Sequence, residues 1–343
     1  MNNLTIKNNL NNLKNVVKNN SIFTTGIALL ILVVLQTLAL GFNYPSFSLW
    51  FYAWINNWIN ILRNNASVGI IALGMTFVIV SGGIELAVGS TLVAVSAVLM
   101  VLIDSSPQGL LTSIGIVGVP AFAIGIVVAI IFGLILGSLT GVIISKGKVP
   151  PFIVTLGTMK ILRSVTQHFM QQVQPIVPKA FLNISNFQIG GKYILPIIYW
   201  VLIALILNYV AKRTLFGRRV YAVGSNERAS KLSGINVDKV KIGVYALMGL
   251  LVSIVSIIQV SRIGSMDYAN AGMGYEMDAI AAVIVGGTSM SGGKGRISGT
   301  IIGTLIIAVM NNLLNLLGVP PFLRDAFKGV IVIIAVLIQR KEK

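Results

Sequence analysis

No cysteine occurs in this chain, and histidine occurs once, at position 168. Without thiols there is no structural disulfide and no thiolate metal site. A single histidine cannot form the H-E-x-x-H pair of a membrane metalloprotease, and no G-x-S-x-G elbow is present. Charge is scarce as well. Only 10% of residues are charged, where a soluble protein carries about 25%. Nine carboxylates stand against 26 lysines and arginines. Oxidoreductase or hydrolase chemistry inside a membrane has almost nothing to work with here.

What is abundant is apolar surface: 55% of residues are hydrophobic and the mean hydropathy is +0.89. Long runs recur, such as 26-GIALLILVVLQTLAL-40, 121-AFAIGIVVAIIFGLILGSLTGVII-144 and 329-GVIVIIAVLI-338. Each membrane crossing needs about 20 apolar residues. The pattern predicts an all-α, polytopic transmembrane protein of about ten spans: 22–42, 66–83, 87–104, 115–145, 151–172, 193–211, 242–262, 276–289, 298–318 and 323–339. The first run exceeds the h-region of a signal peptide and is expected to stay as a span. The aromatic stretch 49-LWFYAWINNWINIL-62 reads as a separate interfacial helix over 46–62, since Trp and Tyr favour the headgroup level. Residues 1–21 form a basic tail. Within it Ile6, Leu10, Leu13 and Val17 recur at helical spacing beside Lys7, Lys14 and Lys18, as in a helix lying on an anionic leaflet; a disordered tail is the alternative. Residues 22–339 form the membrane domain and 340–343 a second tail.

The net charge of +17 raises nucleic acid as a partner, but its distribution follows the positive-inside rule. With both termini inside, eighteen cations fall on inner segments and five on outer ones. No nucleic acid is required. The only sizeable inner loop is 212-KRTLFGRRVYAVGSNERASKLSGINVDKVK-241. Asn226 is placed to cap a short helix, Glu227 and Lys231 make a favourable pair one turn apart, and Gly234 suits the exit. Two turns of helix cannot stand alone in water, so this one must dock on something.

Glycine explains itself by spacing. The loop 286-GGTSMSGGKGRISG-299 superficially resembles a phosphate-binding loop, but Lys294 is followed by Gly295 rather than Ser or Thr. Gly133, Gly137 and Gly141 recur every fourth residue, as do Gly295, Gly299 and Gly303. Such stripes let membrane helices approach closely. The stretches 78-VIVSGGIELAVGSTLVAV-95 and 283-VIVGGTSMSGGKGRISGTII-302 also echo each other, which suggests a repeat built on broken helices.

Polar residues in apolar surroundings are the candidates for a translocation path. Glu85 either lines that path or accepts from free N–H groups where a helix restarts. Arg163, Gln167, His168 and Gln171 give the fifth span a polar outer half, which either hydrogen-bonds a polar solute or snorkels to the interface. Asn311, Asn312 and Asn315 either line the path or join helices. Glu276 and Asp278 suit a helix N-terminus.

Three segments carry a family resemblance: 74-GMTFVIVSGGIELAVGS-90, 220-VYAVGSNERASKLSGINV-237 and 274-GYEMDAIAAVIVGGTSMSGGKGRISGTIIGTLI-306. The endings 311-NNLLNLLGV-319 and 328-KGVIVIIAVLI-338 match as well. Over roughly residues 60–340 the chain resembles the permeases of bacterial ABC sugar importers, the ribose and galactose group. The resemblance implies a multi-pass subunit of the cytoplasmic membrane, not itself an enzyme. It implies a second permease subunit, forming a homodimer. It further implies an extracytoplasmic sugar-binding protein and a separate double-cassette ATPase holding ATP and Mg. Gly224, Asn226, Glu227, Arg228, Ala229, Leu232 and Gly234 match the segment that meets that ATPase. Glu85 stands where the family commonly has Asp. Signals for galactose and ribose are mixed, and nucleoside and autoinducer permeases are relatives. A different class, the ion-coupled secondary transporter, would want paired intramembrane carboxylates, and Glu85 alone is thin support.

Overall fold

The computed structural model describes residues 21–341; the basic N-terminal helix expected from Ile6 to Val17 lies outside them. The described residues form thirteen α-helices and one short 3-10 turn, with no strand among them. In chain order these are α1 (Ser21–Leu40), α2 (Phe47–Val80), α3 (Val88–Leu102), α4 (Val119–Lys146), α5 (Pro151–Met170), α6 (Lys179–Asn186) and α7 (Leu195–Arg213). Then follow α8 (Leu215–Ser225), α9 (Glu227–Leu232), α10 (Val237–Ile263), α11 (Tyr275–Val285), α12 (Ile297–Leu316) and α13 (Pro321–Lys341). Five of them (α2, α4, α7, α10, α12) are long and apolar enough to cross a membrane, and α1 and α3 add shorter apolar segments.

Two expectations are corrected. The interfacial helix over 46–62 and the span 66–83 are one continuous helix, α2, 34 residues long. No glycine or proline occurs between Phe47 and Val68 to break it. At 1.5 Å per residue it runs about 51 Å, well beyond a hydrocarbon core of about 30 Å. Its aromatic first half therefore stands at the outer side and ties down α1: Trp54 donates to Thr37 Oγ1 at 3.1 Å and Trp50 to the Gly41 carbonyl at 3.0 Å. Its second half, from Ala66 to Val80, is buried throughout.

The eighth span, 276–289, is only an 11-residue helix, about 16 Å long. The segment before it, 264–274, folds as turns on the outer side. The segment after it turns at Gly287, whose φ of +86° favours glycine. α3 is similarly short and follows a non-helical linker, 81–87. The two half-length helices begin next to each other: a Cβ on Gly89 would overlap the Gly272 carbonyl.

The echo between 78–95 and 283–302 holds in the backbone. Ser81, Gly82 and Gly83 donate to the carbonyls of Phe77, Ile79 and Val78. Gly286, Gly287 and Thr288 donate to those of Ala282, Ile284 and Val283. Both helices thus end in the same glycine-dependent turn.

Except at Gly295, the glycine stripes lie close against backbone. A Cβ on Gly133 would meet Ser253 and Gly249 of α10, one on Gly137 the Tyr245 carbonyl, and one on Gly141 the Ile242 Cα. On α12, Gly299 and Gly303 lie against the Gly286 and Ala282 carbonyls, while Gly295, just before the helix, meets Thr288 and Val80.

Candidate functional site: the outer cavity and the inner junction

The inner loop contains two helices. α9 is the one that the sequence marks: Asn226 Oδ1 accepts from the Ala229 N–H at 3.0 Å, Glu227 pairs with Lys231 at 3.0 Å, and Gly234 leaves with φ +80°. Glu227 also bonds Lys241 of α10 at 2.8 Å. The Lys241 bond, then the Lys231 bond, holds its carboxyl below the usual range. This ties α9 to α10, which begins at Val237, inside the stretch expected to be loop. The second helix, α8, was not legible, because Gly217 and Gly224 argue against a helix. Its signal was Thr214, whose hydroxyl accepts from the Gly217 N–H at 3.1 Å as an N-cap.

Gly224 is a point of close backbone contact. It sits in the last turn of α8, and a Cβ there would overlap the Val80 carbonyl at the end of α2. That carbonyl accepts from the Gly293 N–H at 2.9 Å, and Gly292 is close against the Gly224 carbonyl. Tyr221 of α8 donates to the Gly295 carbonyl at 2.9 Å. Three chain segments therefore meet backbone to backbone: α8, the break after α2, and the turn after α11. The phosphate-loop look-alike is one wall of this junction. α9 projects from it with Arg228 and Ala229 exposed and Leu232 90% exposed.

Beyond the junction, Glu85 is buried in the linker and its Oε1 accepts from the Ala87 N–H at 2.6 Å. Tyr245 of α10 donates to the neighbouring Ile84 carbonyl at 3.2 Å. Glu85 thus sits just before the restart of α3, bonded to the N–H of Ala87, the residue that precedes the helix.

On the outer side lies a cavity of about 720 Å³ between α3, α5 and the turns at 264–274. Gln167 and Gln171 line it together with Gln174, Asp267 and Tyr268. Arg163, one turn before Gln167, does not reach it with its charge. Its guanidinium donates to the Tyr268 and Ala271 carbonyls, at 3.2 and 2.8 Å, and so holds the cavity wall in place. The asparagines of α12 lie elsewhere. Asn312 exchanges two amide hydrogen bonds with Asn57 of α2, at 3.2 and 3.1 Å, a helix-to-helix lock. Asn311 has a buried carbonyl oxygen without a partner, and Asn315 is exposed. Asp278 of α11 pairs with Lys328 of α13 at 3.0 Å. Sequence reasoning missed Asp267 and Tyr268 as cavity residues. The signal was the stretch Asp267–Asn270, where Asp267 accepts from the Ala269 and Asn270 N–H groups and fixes a turn. No group of metal-ligating side chains occurs among the described residues.

A family model described as "branched-chain amino acid transport system / permease component" matches residues 57–336. The ribose import permease protein RbsC of Escherichia coli K12 is 41% identical, over 92% of this chain and 93% of its own. The protein of the same name from Bacillus subtilis is 44% identical, over 83% and 85%. The xylose transport system permease protein XylH of Escherichia coli K12 is 31% identical, over 83% and 85%. This chain belongs to the permeases of bacterial ABC sugar importers. The permease is accordingly a transport subunit and a multi-pass protein of the bacterial cytoplasmic membrane. It belongs to a system with an ATPase and a solute-binding protein. In the orientation expected from the cation distribution, the Gly224 junction and α9 face the cytoplasm and the glutamine-lined cavity faces outward. No solved structure matches the permease.

Proposed function

We propose that this permease passes a monosaccharide, ribose or a close relative, through the cytoplasmic membrane, driven by ATP hydrolysed with Mg on a separate double-cassette ATPase. The sugar class follows the names of the relatives. It also suits an outer cavity whose polar lining includes the amides of Gln167, Gln171 and Gln174, in the size range of about 300–1,000 Å³ usual for small-molecule sites. An extracytoplasmic binding protein would deliver the sugar to that side.

The observation that carries the coupling is the placement of α9. An apolar side chain, Leu232, stands almost fully in solvent beside Ala229 and Arg228. A few residues away, Gly224 touches the breaks after both α2 and α11. An ATPase docked on α9 would act on both breaks through one backbone junction, and coupling requires such a contact whose energy differs between states. The second subunit is a copy of this chain. α5 leaves Phe152, Leu156, Ile161 and Phe169 uncovered, with Lys160 exposed among them. A lysine facing lipid is costly, whereas one facing an aqueous path between two copies is not.

Ala229→Glu places a bulky charge on the docking face. It is expected to release the ATPase from membranes, or to leave hydrolysis running without uptake, while insertion stays normal. Wild-type co-purification, hydrolysis and sugar uptake together would remove α9 from the mechanism. Uptake in vesicles that follows ATP and survives collapse of ion gradients excludes an ion-coupled carrier.

A further inference from the structure

Two further cavities lie between α7 and α12. One, of about 360 Å³, is an apolar slot walled by Trp200, Val201 and Leu205 of α7 and by Ile301 and Leu305 of α12. The other, of about 400 Å³, is polar and lies at its cytoplasmic end, where Lys212 and Arg296 approach from opposite walls beside Asn208 and Tyr221. The two share Asn208, Lys212, Ile297 and Ser298, so they form one continuous groove. Both cations are exposed, and neither pairs with a carboxylate among the described residues. The slot is backed by Trp200, 4% exposed, whose indole packs on Gly69 of α2.

We infer that this groove is a binding site for one anionic glycerophospholipid of the cytoplasmic leaflet, with its phosphate between Lys212 and Arg296 and one acyl chain along the slot to Trp200. Length, polarity and charge agree. Lys212 and Trp200 are twelve residues apart on one helix, about 18 Å, close to the half-thickness of a hydrocarbon core of about 30 Å. The apolar part lies at chain depth and the cationic part at headgroup depth. Basic pockets between helices on the cytoplasmic side hold anionic headgroups in just this manner. A sugar or nucleotide would find almost no hydrogen-bonding group in the slot. A zwitterionic lipid would fill the slot but place its own cation near Lys212 and Arg296. The groove lies beside the Gly224 junction: Tyr221 borders the polar cavity and also holds the Gly295 carbonyl. A lipid seated there braces α12 against α8.

The test uses the assembled transporter in nanodiscs of phosphatidylcholine, with phosphatidylglycerol brominated on its acyl chains added stepwise. Quenching of Trp200 is read as the difference from Trp200→Phe. Half-maximal quenching is expected at a phosphatidylglycerol fraction on the order of twentyfold below that of brominated phosphatidylcholine, and about fivefold of preference should go with each cation removed in Lys212→Gln and Arg296→Gln. Since both cations are exposed, these variants are expected to fold, and native mass spectrometry of the purified complex should show loss of a retained anionic lipid in the double variant. Equal quenching by the two lipids would overturn the proposal. So would a preference that survives loss of both cations. Absence of quenching by either lipid would show the groove covered by protein in the complex and would overturn it too.

Discussion

Arg163 and Gln167 lie one turn apart on α5 and Gln171 follows just past its end, yet they do different work. Arg163 spends its guanidinium on the Tyr268 and Ala271 carbonyls, because unpaired carbonyls in a turn within a membrane protein are expensive and a guanidinium can satisfy two at once. Gln167, with no such obligation, borders the cavity. Gln167→Leu is therefore expected to lower sugar uptake about fivefold, the worth of one hydrogen bond of about 1 kcal/mol, with the amount of assembled complex unchanged. Unaltered uptake kinetics would return Gln167 to the role of an interface anchor. The amide at Asn312 is spent in a different way, on Asn57, 255 residues away in sequence. Spacing along the chain had no means of showing that partnership.

At the scale of elements, short helices and glycine go together. α3 and α11 do not span a bilayer by themselves, so their ends must find partners inside the protein. The partners are supplied by close backbone approach: Gly89 on Gly272 at their beginnings, and Gly299 and Gly303 against the end of α11. Any side chain at these positions would push backbone from backbone. Gly299→Leu is expected to cost at least about 3 kcal/mol, at the upper end of overpacking penalties, and to reduce the yield of folded complex in detergent severalfold. Normal yield with normal activity would mean that α11 and α12 are not held by this contact.

Across the whole molecule, the Gly224 junction lies between the proposed docking helix and the buried linker that carries Glu85. Tyr245 connects that linker to α10, and Glu227 connects α10 back to α9. The loop of contacts is closed and has little slack, since at Gly224 even one methyl group would meet the Val80 carbonyl. Gly224→Ala is expected to lower the sugar moved per ATP hydrolysed severalfold while the ATPase still co-purifies. An unchanged ratio would place the transmission elsewhere.

The sequence by itself determined that the protein is a helical membrane protein, which segments carry the excess of cations, the cap and exit of α9, and the family. These depend on local chemistry: apolar length, cation count, an Asn before a short helix, and glycine every fourth residue. The tertiary structure decided that α2 is one helix rather than two, that α11 stops halfway, that Arg163 braces the Tyr268 and Ala271 carbonyls, and that Gly224 is a close backbone contact. Each of these depends on what stands opposite a residue in space. Hydrophobic periodicity describes only what one chain segment offers, and a glycine chosen for freedom looks the same in sequence as a glycine chosen for closeness.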